Sequence, residues 1–181
     1  MIHILTGPVH SGKTTLLKTL LLPIREQALS IDGYLSEAVR KHGDIQGYDL
    51  FDLKEERYYP FIRKEGQEDW QSIGPFFFLP ETLDLAKNII SRSAKARLCV
   101  VDEVGPLELD GKGVWPAIVD AIRSSRADFL LVVRDTILEN FLSSLDREDA
   151  RVHSIEQENI RGVLAGSLVS NPKKRRRAAQ K

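Results

Sequence analysis

Gly7-Pro8-Val9-His10-Ser11-Gly12-Lys13-Thr14 fills the pattern G-x-x-x-x-G-K-[ST] directly after the apolar run Ile2-His3-Ile4-Leu5. Thr15-Leu16-Leu17-Lys18-Thr19-Leu20-Leu21 follows at once, with Leu16, Leu17 and Leu20 sharing a helical face. A strand, a glycine loop and a helix in that order aim successive backbone N–H groups and the helix N-terminus at one point. That is what a phosphate chain requires. Gly7, Pro8, Val9, His10, Ser11, Gly12, Lys13, Thr14 and Thr15 are therefore expected to bind a nucleoside triphosphate. The His10 side chain, at a variable position of the pattern, is expected to face solvent.

The 181 residues, 42% of them hydrophobic, suffice for one core and one domain. Lys plus Arg and Asp plus Glu balance at 26 each, so no overall field favours nucleic acid, membrane or acidic substrates. The single cysteine, Cys99, lies in an apolar run and has no internal disulfide partner, which fits a reducing compartment. No apolar run approaches the ~20 residues of a membrane span, and Met1-Ile2-His3 runs straight into a strand without a leader. A cytoplasmic protein is expected. The four histidines are scattered, none at metal-ligand spacing with Cys or another His, so a zinc site is not expected.

Pro23 is expected to kink or end the first helix. Gly33–Arg40, Gly47–Leu53 and Arg57–Ile62 are β-rich runs separated by His42-Gly43-Asp44 and Lys54-Glu55-Glu56, the pattern of an antiparallel meander. Pro80 opens a helix with Leu79, Leu83, Ala86 and Ile90 in one stripe. Leu98–Glu103 and Phe129–Arg134 are continuous apolar runs of the kind that parallel strands covered on both faces require. Between them, Val114, Ile118, Ala121 and Ile122 mark a helix. Asp135 is expected to cap a further helix, Val152-His153 to form a short strand, and Ser154-Ile155-Glu156-Gln157 to act as a capping box. The alternation predicts an α/β sheet covered by helices. Residues 1–171 form the domain, and the run Lys173-Lys174-Arg175-Arg176-Arg177 marks residues 172–181 as a basic, disordered tail.

The chemistry-bearing positions follow from what phosphoryl transfer needs. Lys13 neutralises charge on the β- and γ-phosphates, and the Thr14 hydroxyl binds Mg²⁺. Asp102, at the end of a buried strand, is a second metal anchor, and Glu103 beside it can orient and deprotonate a water in line with the γ-phosphate. Glu108 is a third acid with a less defined part. Arg40, Arg134 and Arg161 are candidates for stabilising transition-state charge. Tyr34, Tyr48, Trp70 and Phe76-Phe77-Phe78 are candidates for stacking on a base, although strand aromatics usually serve the core.

The combined pattern resembles the nucleoside-triphosphatase family first associated with thermophiles. The resemblance is carried by the loop Gly7–Thr15 with its double Thr, by Gly33–Arg40, Gly43, Gly47-Tyr48-Asp49, Val101–Leu109 and Glu158-Asn159, and runs from Ile2 to about Leu168. It implies a P-loop NTPase three-layer α/β fold of the catalytic-glutamate division, a mostly parallel sheet flanked by helices with additional antiparallel strands. It also implies slow Mg²⁺-dependent hydrolysis of several nucleoside triphosphates to diphosphates, and roles for Glu37 and Arg40. The family often has Lys-Met where this chain has Pro106-Leu107.

Two other functions remain compatible with the phosphate loop. A nucleoside or nucleotide kinase would need an acceptor pocket and an arginine-bearing lid, for which Lys54–Gly74 with Arg57, Arg63 and Lys64 is the candidate. A nucleotide-switched nucleic-acid-binding module would use the basic tail. Nucleoside triphosphates are the expected partners, nucleic acid and membrane are not, and the oligomeric state is not fixed by the sequence.

Overall fold

In the computed structural model, which describes residues 1–26, 29–145 and 148–169, the run after Met1 is strand β1 (Ile2–Gly7), all six residues buried. It feeds helix α1 (Lys13–Glu26), followed by β2 (Ile31–Lys41), β3 (Asp44–Asp52), β4 (Arg57–Arg63), β5 (Ser72–Ile73), β6 (Phe76–Phe78) and α2 (Pro80–Ser93). Then come β7 (Leu98–Val104), α3 (Pro106–Leu109), α4 (Trp115–Ser124), β8 (Asp128–Arg134), a 3₁₀ turn (Asp135–Ile137), α5 (Leu138–Ser144), β9 (Ala150–Ser154) and α6 (Ile160–Val169). The strands form one sheet in the order β5-β6-β4-β3-β2-β7-β8-β1-β9. The run β2-β7-β8-β1-β9 is parallel, and β3, β4, β6 and β5 extend it antiparallel beyond β2.

Strand alternation splits the core into two layers. Phe129, Leu131 and Val133 of β8, with Cys99 and Val101 of β7, pack under α2, α4 and α5. Leu130 and Val132, with Leu98 and Val100, pack under α1 and α6 through Leu17, Leu20, Leu164 and Leu168. Both faces of β7 and β8 are thus dry, which is why their sequences read as unbroken apolar runs. Gly33 has φ +125, and a Cβ there would collide with the backbone of Val100, so glycine is what lets β2 lie against β7.

Several local expectations are corrected. Of the two outcomes expected at Pro23, the helix does not end there: α1 continues to Glu26. The Ser154–Gln157 segment is a turn, in which the Ser154 hydroxyl accepts from Glu156 N–H at 3.2 Å and Gln157 N–H donates to the Ser154 carbonyl; α6 begins only at Ile160. A serine-initiated turn and a capping box share the same letters, and here the turn wins. Asp135 opens the 3₁₀ turn and makes no side-chain cap to a helix; its carboxylate accepts from the adjacent Thr136 N–H. The hairpin β5–β6 was not expected. The basic tail falls outside the described residues. Among those residues no helix is long and apolar enough to cross a membrane.

His3 of β1 and His153 of β9 face each other, Nδ1 to Nε2 at 3.3 Å, and only 1% of His3 is exposed. Two neutral rings can share that hydrogen bond, one donating and one accepting, whereas two charged rings cannot. Burial, reinforced by His153, pushes His3 down to about 4, and burial lowers His153 as well. The unfolded chain binds these protons first, so this contribution to stability is present above pH ~6.5 and is lost as pH falls toward 4. Urea unfolding at pH 7.5 and pH 5.5 should show a loss of about 1 kcal/mol from His3 alone, a loss that shrinks in His3→Gln.

Candidate nucleotide site

The site is assembled by strand register. Gly7, which opens the phosphate loop, pairs with Arg134 at the end of β8, and Val133 pairs with Val104 of β7. The β7–β8 ladder is interrupted between Val101 and Val104, so Asp102 and Glu103 leave regular pairing at the same edge. The phosphate loop, Asp102, Glu103 and Arg134 consequently line one cavity of about 730 Å³, together with Glu37, Arg40 and Glu108.

Residues Pro8–Gly12 are exposed, as a loop that receives a ligand must be, with Gly12 at φ +89. Lys13 is only 5% exposed and its Nζ donates to the Gly7 and Pro8 carbonyls at 2.9 and 2.7 Å. Those carbonyls satisfy the buried ammonium. Asp102 is 1% exposed; it accepts a hydrogen bond from the Thr14 hydroxyl and a long one, 3.4 Å, from the Ser36 N–H. Burial pushes its carboxyl up to about 7, partly opposed by the Thr14 bond. A buried carboxylate with so little compensation is a place where a cation fits. Among the described residues no three His, Cys, Asp or Glu side chains converge as a metal cage. The Asp102 carboxylate and Thr14 hydroxyl are oxygen donors of the kind that fit Mg²⁺, which takes its remaining oxygens from water and phosphate.

Glu103 is held differently. Arg134 Nε and Nη2 both reach Glu103 Oε1, at 2.6 and 2.5 Å, with both side chains about a quarter exposed. Such a charge-assisted contact fixes the carboxylate's direction more than it stabilises the fold. Glu108 is buried and turned inward, its Oε2 accepting from Gly105 N–H at 2.8 Å and its Oε1 from Val114 N–H at 3.3 Å. Burial raises its pKa, and these backbone donors oppose the rise. Pro106 is the first residue of α3 and the half-buried Leu107 packs against the core, so the two positions supply a helix start and an apolar contact where the family often has Lys-Met.

Glu37 pairs with Lys18 Nζ at 2.8 and 3.0 Å, and Tyr58 Oη lies 2.8 Å from that Nζ and donates to Glu37 at 3.1 Å. This triad ties α1 to β2 and β4. Sequence reasoning missed Lys18 and Tyr58, whose only signal was a lysine one turn beyond Thr14. It also missed Ser36 as a backbone donor to Asp102. Arg40 is exposed and donates to the Gly43 carbonyl at 3.2 Å. Arg161 is exposed in α6 and does not line the cavity. Phe61, Ile62, Ile73 and Gly74 of the Lys54–Gly74 segment line the cavity, but its basic residues Arg57, Arg63 and Lys64 do not. Arg57–Arg63 is strand β4, and Arg63 is spent on the Tyr48 and Ile62 carbonyls and the Asp49 carboxylate. Of the aromatics, Tyr34, Tyr48, Phe76 and Phe78 line the cavity, while Trp70 and Phe77 do not.

Because Glu108 satisfies two buried N–H groups, Glu108→Ala should cost about 2–4 kcal/mol in denaturant unfolding, with Glu108→Gln, which keeps one acceptor, losing roughly half of that.

The model of the NTPase family matches residues 2–169. The nucleoside-triphosphatase THEP1 of Metallosphaera sedula is 31% identical over 137 residues, 75% of this chain and 72% of that protein. The human cancer-related nucleoside-triphosphatase is 25% identical over 176 residues, 88% of this chain and 90% of that protein. In fold, the crystal structure of THEP1 from the hyperthermophile Aquifex aeolicus matches with a TM-score of 0.70 at 22% identity, over 94% of this chain and 98% of that one. The family match extends from the first residue of β1 to the last of α6, and the chain belongs to the NTPase family.

Proposed function

We propose that the chain is a Mg²⁺-dependent, cytoplasmic nucleoside-triphosphatase of broad base specificity that cleaves the β–γ phosphoanhydride to give nucleoside diphosphate and phosphate. One observation carries the reading: Lys13, Thr14, Asp102, Glu103 and Arg134 line the same cavity. The names of the relatives support hydrolysis as the reaction class.

On this reading, the backbone N–H groups of Val9–Thr15, at the loop and the start of α1, wrap the phosphate chain, and Lys13 exchanges its loop carbonyls for β- and γ-oxygens. Thr14 and Asp102 would hold Mg²⁺, which when bound supplies positive charge against the phosphate oxygens. Glu103 accepts a hydrogen bond from the attacking water and takes its proton as the oxygen closes on the γ-phosphorus. Arg134 aims that carboxylate, and its remaining N–H groups are available to charge building on the γ-oxygens. Broad base specificity follows from recognition invested in phosphates rather than in hydrogen bonds to a base edge.

Glu103→Gln should retain nucleotide binding while phosphate release falls by ~10² or more. Unchanged turnover in that variant removes Glu103 from the mechanism. A phosphate-release panel over ATP, GTP, CTP and UTP, with and without Mg²⁺, should show activity on several bases only with the metal. Activity without Mg²⁺, or on a single base, contradicts the reading.

A further inference from the structure

The cavity is larger than hydrolysis needs, and it extends in one direction. The residues assigned to the phosphates stand at the ends of β1, β8 and β7, but the lining continues across β2, β3 and β4 to the β5–β6 hairpin. That is five further strand positions at ~4.8 Å each. No residue of β9 or of the turn that follows it contributes. The phosphate chain has a direction. If Glu103 activates the nucleophile, the γ-phosphate points toward it, and the β-phosphate, α-phosphate and nucleoside trail the other way, because attack comes from opposite the leaving group. The chamber beyond Glu103 therefore cannot hold the base of the same nucleotide. The cavity of about 730 Å³ is shared between the phosphate loop and this chamber, and an attacking water would fill only about 30 Å³ of it.

The chamber's chemistry is that of a ring site. Half-buried Tyr48 and Phe76 meet edge to face, centroids 5.9 Å apart and planes at 72°. Behind them Phe61 is fixed edge to face between Tyr34 and Phe78, at 5.9 and 5.3 Å. The Ile73-Gly74-Pro75-Phe76 turn closes the outer side. The rim is polar, with Arg40 and Ser36 on the β2 side and Glu103 with Arg134 on the phosphate side. Apolar and aromatic walls with a few convergent polar groups describe a small-molecule pocket. Rings left half open to a cavity offer faces for stacking.

We infer that this chamber is a second subsite, for a nucleoside, whose sugar hydroxyl takes the place of water as acceptor of the γ-phosphoryl group. The inference rests on the hydrolytic reading above, because Glu103 defines which end of the phosphate chain faces the chamber. The base stacks against Phe76 and Tyr48, and the hydroxyl reaches back to Glu103. The hydroxyl oxygen attacks the γ-phosphorus as Glu103 takes its proton. The bond from the γ-phosphorus to the β–γ bridging oxygen breaks, leaving a nucleoside diphosphate and a newly formed nucleoside monophosphate. No further reactant is required, and hydrolysis is the same displacement with the chamber holding only water.

The test uses the full chain with Mg²⁺ and γ-labelled ATP, alone and with millimolar adenosine, guanosine, cytidine, uridine or thymidine, the products being separated by chromatography. The expected result is label in a nucleoside monophosphate for at least one nucleoside. Phe76→Ala and Tyr48→Ala should lower that transfer by ~10-fold or more, the size expected from losing one stacked ring. Phosphate release without nucleoside should stay near the wild-type rate in both variants, which also reports that they fold. Label appearing only in inorganic phosphate with every nucleoside overturns the inference and leaves the hydrolytic reading standing. Transfer that survives both substitutions overturns the location of the subsite. ATP left intact in every arm sinks the hydrolytic reading, and this one with it.

Discussion

The parallel pairing of β1, β8 and β7 is the constraint on which the rest depends. Parallel neighbours cannot be joined by a tight turn, so helical crossovers cover both faces and every strand end that follows the chain direction emerges at one edge. At that edge Gly7 stands beside Arg134, and Val133 beside Val104. Phosphate loop, arginine and acids are neighbours because the ladder is in this register. A slip of one residue in β7 would turn every side chain to the opposite face and exchange Asp102 with Glu103. The apolar runs that lock β7 and β8 between two helical layers therefore also fix the order of charges at the site.

Strand β2 serves two parts of the sheet at once. Its first part, Ile31–Tyr34, pairs parallel with β7, and from Tyr34 to Lys41 it runs on as the first strand of the antiparallel extension. Ser36, Glu37 and Arg40 lie on that overhang, past the end of the β7 pairing, which is how they come to border the cavity. The Lys18–Glu37–Tyr58 contacts then fasten the overhang to α1, the helix that the phosphate loop opens. The pairs are partly exposed and contribute little to global stability. Their effect is positional: they set the distance between the phosphate-binding helix and the wall of the cavity.

The legibility of the sequence tracks the range of the interaction that decides each element. β7, β8, α2 and α4 were readable because their patterns are dictated by burial of whole faces, and Leu98–Val101, Phe129–Val133 and the Leu83-Ala86-Ile90 stripe state that burial directly. The meander β2–β3–β4 was readable from its turns. The β5–β6 hairpin was not, since strands of two and three residues carry no periodicity and exist only by pairing with each other and with β4. The Ser154–Gln157 error and the shape of Asp135's turn are of the same kind, because short polar side chains satisfy nearby N–H groups in several local geometries. At the site, the loop and the two acids were visible as a motif. Their partners were not: that Glu103 meets Arg134, and that Glu108 turns inward, are facts of tertiary placement.

Asp102 and Glu103 show how one dipeptide acquires two chemistries. Asp102 continues the row of Leu98 and Val100, which faces α1, and so arrives fully buried beside Thr14. Burial there opposes its charge, and only a cation or a proton relieves the cost. Glu103, one residue on and past the break in the ladder, is partly in water and already has a guanidinium on one oxygen. Its charge already has a partner in Arg134, and its second oxygen is left for another contact. In the proposed reaction the first carboxylate would anchor a cation and the second would take the proton of the attacking water. Exchanging the two residues would place the longer side chain in the buried position and the shorter one out of Arg134's reach, so the division of labour is set by backbone geometry as much as by residue type.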